Sequence, residues 1–290
     1  MNLADSPQTR PLPAAALLED FLPHLEAAQE RVRSGRLPGV PTGIKWLDHQ
    51  ILGLPDGLTL LNGEPGAGKT SLALQVARSA AEDGVPVVYV ALDESARFLT
   101  LKLFAGSAGL SFVDYRRGRG DLQGLRQSVE DFRERFQHLT FWASSTPPTV
   151  ADAFSMLRER RELAGEDRAL LVVDYLQVYA ARLNRGSDVF QSIGQTVGDL
   201  ASCAASEKVA CLAIGSQNRA SQNSSKMSSG WGSADLEYAA SAVINLTRTD
   251  QSIDDKKVIA LTLAKNRVGP AGAETELVFE GSTGRFWEYR

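Results

Sequence analysis

The sequence predicts an α/β fold in which helices flank a mostly parallel central sheet, and three observations lead to this prediction. Several short runs, such as residues 170–173, are apolar at every position. Stretches in which apolar residues recur at helical spacing separate these runs. A glycine-rich segment at residues 63–68 follows the first apolar run and precedes a helical pattern. Strands that are apolar on both faces are typical of parallel sheets covered by helices on both sides.

The predicted elements alternate along most of the chain. The buried strands are 58–62, 87–92, 139–142, 170–174 and 209–215. The helices are 44–51, 70–83, 96–108, 149–164 and 188–206, with further helices joined by a basic loop in 111–140. Thr149 and Asp152 indicate a capping box at the start of the helix at 149–164. The strands 243–247, 258–264 and 274–280 follow one another directly, which predicts a partly antiparallel C-terminal extension.

The first 38 residues differ from the rest of the chain. Residues 1–13 are polar and rich in proline, so we expect a disordered tail. Residues 14–34 carry apolar residues at helical spacing, with Pro23 inside the pattern, so the helix is expected to kink there or to start after it. We place a domain boundary between 1–38 and 39–290. The helix either folds back on its own domain or docks on a neighbouring subunit.

Composition excludes some classes of protein. The 290 residues carry a net charge of −4, which argues against a surface coated in basic groups but allows a local basic channel. Neither a signal-peptide pattern nor an apolar run of about 18 residues occurs. The two cysteines, Cys203 and Cys211, suit a reducing compartment. We therefore expect a cytoplasmic protein with no membrane partner.

Residues 63–70 read Gly-Glu-Pro-Gly-Ala-Gly-Lys-Thr and fit the phosphate-binding pattern G-x-x-x-x-G-K-[ST]. Glycines let backbone N–H groups approach phosphates closely, and the start of the following helix favours anions. The lysine adds a positive charge at the β and γ phosphates, and the threonine hydroxyl suits Mg²⁺. The predicted nucleotide-binding residues are Gly63, Glu64, Pro65, Gly66, Ala67, Gly68, Lys69, Thr70 and Ser71.

Three acidic residues are candidates for the chemistry beside this loop. Asp174 ends the most apolar strand, where it could hold Mg²⁺ together with Thr70, or could cap the following turn. Asp93 and Glu94 follow the strand that ends near residue 92. Either could activate the attacking water, or both could favour the first turn of the next helix electrostatically.

Several further segments resemble sequence motifs of one protein family. From Gly39 to Trp287 the chain resembles the C-terminal ATPase domain of the DnaB-type replicative DNA helicases, within the RecA-like ATPases. Besides the phosphate loop, the segments that carry the resemblance are Gly39-Val-Pro-Thr-Gly43, Leu92-Asp-Glu-Ser95, Asp174-Tyr-Leu-Gln177, Ser216-Gln217 and Ala264-Lys-Asn-Arg-Val-Gly-Pro270. The Asp-Tyr-Leu-Gln run is far more diagnostic than a lone aspartate.

The resemblance implies ATP as substrate and a role for each matching residue. Asp93 aligns with the usual catalytic glutamate, and Glu94 lies one step away. Gln217 would report the γ phosphate to the loop that follows it. Lys265 and Arg267 would act in trans on the γ phosphate of an adjacent subunit, as an arginine finger does. Their spacing puts both on one face of a strand, whereas without the resemblance a solvated strand would be the simpler interpretation.

The resemblance also implies an assembly and a partner. The helix at 14–34 would dock on the next subunit of a ring, expected to be a hexamer, that translocates on single-stranded DNA. The family's larger N-terminal domain is not in this sequence, so we expect a motor core; the loader or primase is unknown. Asp93 is one methylene shorter than glutamate, and the segment 218–232 is low in charge, with Arg219, Lys226 and Trp231 as its candidate contacts. These departures favour an alternative: a nucleotide-switched regulatory or assembly ATPase with little unwinding activity.

Overall fold

The computed structural model describes residues 13–108, 110–142, 146–184, 188–216 and 234–289. Contacts divide the chain into two units, Met1–Pro38 and Gly39–Arg290. The described part of the first unit is helix α1, Ala14–Arg33, which continues through Pro23. After the helix, the Arg31 guanidinium donates a hydrogen bond to the Pro38 carbonyl (3.1 Å). One stripe of α1 exposes large apolar side chains: Leu18, Phe21, Leu22, Leu25 and Val32.

The second unit is built on one sheet, which has nine strands in the described part of the chain. They are β1 Gly57–Gly63, β2 Val87–Ala91, β3 Leu139–Trp142, β4 Leu170–Asp174, β5 Ala210–Ser216, β6 Ala242–Ile253, β7 Lys256–Asn266, β8 Ala273–Glu280 and β9 Arg285–Glu288. Their spatial order is β3-β2-β4-β5-β1-β6-β7-β8-β9. Neighbours from β3 to β6 are parallel, and β6 to β9 are antiparallel. The predicted fold class is therefore confirmed.

Ten helices accompany this sheet in the described residues of the second unit. They are α2 Lys45–Ile51, α3 Lys69–Glu82, α4 Ala96–Ala108, α5 Phe112–Arg116, α6 Leu122–Gln127, α7 Val129–Arg135, α8 Val150–Ala164, α9 Leu176–Leu183, α10 Val189–Glu207 and α11 Ala234–Ala239. The capping box of Thr149 and Asp152 is formed at the start of α8. Helices α9 and α11 and strand β9 were not predicted, and β6 and β7 extend beyond their predicted ends.

The core lies in two layers, one on each face of the sheet. On one face, α3 packs Leu72 and Val76 into a cluster with Leu61 and Val172. On the other face, α8 and α10 contribute to a cluster that includes Leu171. Because both faces are covered, the central strands are buried along their length and mostly apolar, as the sequence indicated. None of the helices in the described ranges is long and apolar enough to cross a membrane.

Candidate functional site

The glycine-rich segment forms a loop between β1 and α3, at the carboxyl edge of the parallel strands. Gly66 and Gly68 adopt left-handed conformations (φ 78° and 88°) that other residues rarely take. A Cβ on Gly63 would lie 2.8 Å from the Leu246 carbonyl oxygen of the neighbouring strand. Helix α3 starts at Lys69, so the first N–H groups of the helix have no partners within it. This loop and helix start together have the form of an anion-binding cradle.

Lys69 lies across this loop. Its Nζ donates to the carbonyl oxygens of Gly63 (2.8 Å) and Glu64 (2.9 Å). Burial lowers the pKa of Lys69, and the nearby Asp174 and Glu64 carboxylates act in the opposite direction. The ammonium group is therefore held at the loop, where it can pair with phosphate oxygens. Ser71, which was also predicted to bind nucleotide, is buried in the first turn of α3, with its Cβ and Oγ close to Gly284.

The C-terminal hairpin supports the loop from behind. The Phe279 and Phe286 rings stack at 4.4 Å, and a Cβ on Gly68 would lie 2.6 Å from the Phe286 ring. The buried Gln75 amide donates to the Phe286 carbonyl (3.0 Å) and accepts from the Phe286 N–H (2.9 Å). Only glycine at position 68 allows this approach, so the hairpin β8–β9 shapes the loop. The sequence analysis did not predict this contact, because β9 was not predicted.

Asp174 ends β4 and lies beside the loop with 2% of its surface exposed. Its Oδ1 accepts from the Thr70 hydroxyl (3.4 Å), and its Oδ2 accepts from the Tyr89 hydroxyl (2.8 Å). Burial raises the pKa of Asp174 to about 6, against the lowering effect of these two hydrogen bonds. Burial, followed by the charge of Asp174, raises the pKa of Tyr89 well above its usual value. A hydroxyl beside one carboxylate oxygen is a donor set that suits Mg²⁺ together with phosphate oxygens and water.

The two acidic residues after β2 have different surroundings. Both oxygens of Glu94 accept from the Lys102 ammonium group (3.1 and 2.9 Å), which also lies 4.9 Å from the centre of the Phe98 ring. Asp93 is exposed and lies near the Tyr175 hydroxyl. Burial raises the pKa of Tyr175 first, and the charge of Asp93 adds to the shift. Glu94 is thus neutralised within the chain.

Lys265 and Arg267 lie at and just after the C-terminal end of β7, which runs antiparallel to β6 and therefore toward the amino ends of the parallel strands. In β6–β7 the register shifts, since Val243 pairs with Lys265 whereas Ile244 pairs with Leu263. Such a bulge re-aims the side chains that follow it. Because Val243 also pairs with Leu60 of β1, Lys265 is level with a position three residues before the end of that strand. At about 3.3 Å per residue, this level lies about 10 Å back from the end of β1.

Both cations are held at the end of α11. The Lys265 Nζ donates to the carbonyls of Glu237 (2.5 Å) and Tyr238 (3.1 Å), and the Arg267 guanidinium donates to the Tyr238 carbonyl. Burial and the nearby Arg267 lower the pKa of Lys265, whereas Glu237 acts in the opposite direction. Cations at a helix C-terminus are favourable because they bind the unpaired carbonyls. The two side chains, which were predicted to share one face of a strand, both donate to the Tyr238 carbonyl.

Some predicted positions cannot be placed. Gln217 and the candidate DNA contacts Arg219, Lys226 and Trp231 lie outside the described residues. Ser216, which precedes this segment, ends β5 directly opposite Gly63. Two residues at the site were not predicted at all, Tyr89 and Lys102. Tyr89 was taken for an ordinary strand residue, and its hydroxyl in a fully apolar strand was the available signal.

Comparison with known proteins agrees with this geometry. Residues 39–288 match the family described as the DnaB-like helicase C terminal domain. The replicative DNA helicase DnaB of Helicobacter pylori is 24% identical over 202 residues, which are 69% of this chain and 41% of that protein. The DNA repair protein RadA of Mycobacterium tuberculosis is 44% identical over 93 residues, which are 31% of this chain and 19% of that protein. The chain thus spans about two fifths of the length of the DnaB helicase that it matches.

Two solved structures have the same fold. An isolated ATPase domain superposes with a TM-score of 0.79 at 21% identity and covers 93% of this chain and 99% of its own. A DnaB-like replicative helicase, described together with its interactions with primase, superposes with a TM-score of 0.78, also at 21% identity, over 92% of this chain and 68% of its own. These likenesses show the fold alone. The family match over residues 39–288 shows more: the chain belongs to the DnaB-like helicase C terminal domain family.

Proposed function

We propose that this chain is the ATPase core of a ring-forming DNA helicase or translocase that acts on single-stranded DNA. One observation carries the proposal: the nucleotide cradle lies at the carboxyl ends of the parallel strands, whereas Lys265 and Arg267 lie back from it, at the end of β7 that points toward the amino ends of those strands. Cations so placed do not serve the phosphates of their own loop. In a ring of identical subunits, these cations of one subunit can face the cradle of the next, which completes the site. The family's ring would be a hexamer.

The reaction is the attack of water on the γ phosphate of ATP. Lys69 and the N–H groups of the loop bind the β and γ phosphates, and Lys265 and Arg267 of the next subunit stabilise the charge that develops on the γ phosphate. Thr70, and Asp174 through water, would hold Mg²⁺, which would neutralise negative charge on the phosphates. Gly63 to Ser71 make up the binding segment as a whole.

Asp93 is the residue that we propose to orient the water and accept its proton. Its carboxylate is exposed at the end of β2, next to the magnesium-site strand β4. Glu94 is the weaker candidate because the largely buried ammonium group of Lys102 occupies both of its oxygens. To contact an attacking water, an oxygen of Glu94 would have to leave the Lys102 ammonium group.

The path of the chain supports a proposal for how ATP hydrolysis is coupled to movement on DNA. Ser216 ends beside Gly63, so Gln217 would sense the γ phosphate and begin the segment that contacts DNA. That segment leads to α11, whose last carbonyls hold Lys265 and Arg267. Movement of the segment on hydrolysis would therefore reach the residues that serve the neighbouring site. Single-stranded DNA is the proposed partner, with phosphate contacts from Arg219, Lys226 and backbone N–H groups.

Helix α1 supplies the proposed contact between subunits. Its apolar stripe, defined by Leu18, Phe21, Leu22, Leu25 and Val32, is 41–57% exposed. Such a stripe on one face of a helix is typical of a segment that docks into an apolar groove. We assign residues 1–38 to a tail and docking helix and 39–290 to the ATPase domain. A cytoplasmic location completes the proposal by analogy with the family.

A second candidate function is a nucleotide-switched assembly ATPase that unwinds little or no DNA. The observation that favours it is the acidic pair after β2, where the longer carboxylate, Glu94, is paired with Lys102 and only the shorter Asp93 is exposed. A shorter base that stands farther from the water would slow hydrolysis.

Steady-state ATP hydrolysis with and without single-stranded DNA separates the two. We expect DNA to stimulate hydrolysis several-fold if the chain is a translocase. Hydrolysis that does not respond to DNA would favour the assembly ATPase. Bound ATP without hydrolysis would point to Asp93 as the limiting residue, and a failure to bind ATP would contradict both proposals.

A further inference from the structure

A buried hydrogen bond connects Asp174 to a strand that contributes no residue to the phosphate loop. The Tyr89 hydroxyl donates to Asp174 Oδ2 at 2.8 Å, across 85 residues of sequence. Tyr89 is fully buried and Asp174 is 2% exposed, so water does not compete freely for this bond. A hydrogen bond from a neutral donor to a buried carboxylate is among the stronger ones in proteins.

The register of the sheet explains how the two groups meet. In the pairing of β2 with β4, Tyr89 lies opposite Val172 and Ala91 lies opposite Asp174. Tyr89 is therefore the diagonal neighbour of Asp174 on the same face, at a separation that an aromatic side chain can span. The Tyr89 ring also packs against Phe141 of the edge strand β3, with 5.4 Å between ring centres. The ring is thus held in place by apolar contacts, and its hydroxyl is aimed at the carboxylate.

The two carboxylate oxygens have different partners. Oδ2 is bound by Tyr89, whereas Oδ1 faces the Thr70 hydroxyl at 3.4 Å. A carboxylate held at one oxygen cannot rotate freely, so Oδ1 remains directed at the hydroxyl that we assign to the magnesium site. Groups that orient a metal-binding residue from behind commonly change metal affinity by about 10- to 100-fold when they are removed.

We propose that Tyr89 is a positioning residue that orients Asp174 toward Mg²⁺ at the nucleotide site. This inference rests on the proposed function, since it requires Asp174 to serve the magnesium ion. Tyr89 itself touches neither nucleotide nor metal in this assignment. Tyr89 acts by donating a hydrogen bond to the Asp174 carboxylate, which fixes the orientation of that carboxylate.

The test compares nucleotide binding with and without magnesium, using the fluorescent nucleotide mant-ADP in MgCl₂ and in EDTA. For Tyr89→Phe, which keeps the ring and removes the hydroxyl, we expect the gain in affinity from Mg²⁺ to fall on the order of tenfold. The affinity in EDTA should stay within about twofold, because the loop and Lys69 are unchanged. Tyr179→Phe is the matched control, since Tyr179 is also buried but its hydroxyl has no hydrogen-bond partner among the described residues.

The same measurement in an Asp174→Asn background shows whether Tyr89 acts through the carboxylate. There, Tyr89→Phe should cause no further loss of the magnesium effect. A normal magnesium effect in Tyr89→Phe, or an equal loss of affinity in MgCl₂ and EDTA, would overturn the inference. If Asp174→Asn itself keeps the full magnesium effect, the magnesium-site assignment in the proposed function fails first, and the two failures are thereby distinguished.

Thermal unfolding of each variant establishes that the comparison is made on folded protein. If Tyr89→Phe does not fold, Phe141→Leu provides a second test, because it loosens the packing of the Tyr89 ring and keeps the hydroxyl. We expect a smaller loss of the magnesium effect in that variant, and an unchanged effect would count against the inference.

Discussion

At the carboxyl ends of the parallel strands, the phosphate loop, Thr70 and Asp174 meet within one chain, whereas Lys265 and Arg267, which lie back toward the amino ends, donate to the carbonyls of α11. The first region has its partners arranged around a cradle that a ligand can enter. The second has cations that already donate to backbone carbonyls of their own chain. Under the proposed function, nucleotide binding needs one subunit, whereas fast hydrolysis also needs Lys265 and Arg267 of a second subunit, released from their contacts with α11.

The largest effect is expected at the phosphate loop. Lys69→Ala removes the ammonium group that lies across the loop, so nucleotide binding should weaken by about 100-fold or more and hydrolysis should be lost. Equilibrium binding of mant-ADP and steady-state phosphate release measure both. Lys265→Ala is the matched control, because it removes the same charge away from the loop and should leave binding intact. Normal hydrolysis by Lys69→Ala would refute the phosphate-loop assignment.

The next largest effect is expected at Arg267. Arg267→Ala should reduce hydrolysis on the order of 10³-fold while ATP binding stays within a few-fold, because the cation acts on a neighbour's γ phosphate. Mixing this variant with Lys69→Ala should restore part of the activity, since mixed assemblies contain some sites with an intact loop and an intact finger. The absence of rescue at every mixing ratio would argue against a shared site.

The two acidic residues after β2, Asp93 and Glu94, are expected to differ in how much each contributes to hydrolysis. Asp93→Asn should lower hydrolysis on the order of 100-fold, because it removes the proposed proton acceptor. Glu94→Gln should lower it by only a few-fold, since Glu94 is already paired with Lys102. Single-turnover hydrolysis in both variants is the measurement. The reverse ranking would assign the base to Glu94.

The burial of Asp174 at the candidate site also affects the free energy of unfolding. Its pKa rises from 3.8 to about 6 on folding because of burial, so the folded state disfavours the charged form above pH 6. This cost, about 3 kcal/mol at 1.36 kcal/mol per pKa unit, is present at pH 8 and is relieved as the pH falls from 6 to 4. In EDTA, Asp174→Asn should therefore raise the free energy of unfolding at pH 8 by up to this amount, with a difference that shrinks toward pH 4. A difference that does not depend on pH would show that the charge is not its cause.

The smallest effect is expected from the apolar stripe of α1. The double substitution Phe21→Glu and Leu25→Glu places two charges on the exposed stripe, so assembly should weaken by about tenfold or more while the isolated ATPase unit stays folded. Light scattering across a concentration series reports the mass. Glu26→Gln, on the same helix, is the control. An unchanged mass after deletion of residues 1–38 would refute the docking role.

Elements and motifs that are contiguous in the chain could be predicted from the sequence alone. The phosphate loop needs eight consecutive residues, and the buried strands are short, mostly apolar runs, so both can be recognised without knowing how the chain folds. The capping box of Thr149 and Asp152 was predictable for the same reason, because its contacts span three residues. Helices α9 and α11 and strand β9 were not predicted, although β3, which is as short as β9, was. Short segments take their structure largely from packing, so their own pattern predicts some of them and not others.

Which distant residues meet, by contrast, depends on the folded sheet. Tyr89 reaches Asp174 because β2 and β4 are neighbours in a particular register, and neither strand alone carries that information. Lys102 neutralises Glu94 because α4 returns past the end of β2, and this contact separates two acidic residues that the sequence left equivalent. The bulge in β7 and the position of α11 place Lys265 and Arg267 on backbone carbonyls. Contacts of this kind depend on strand order and register, which are set by the packing of the whole sheet.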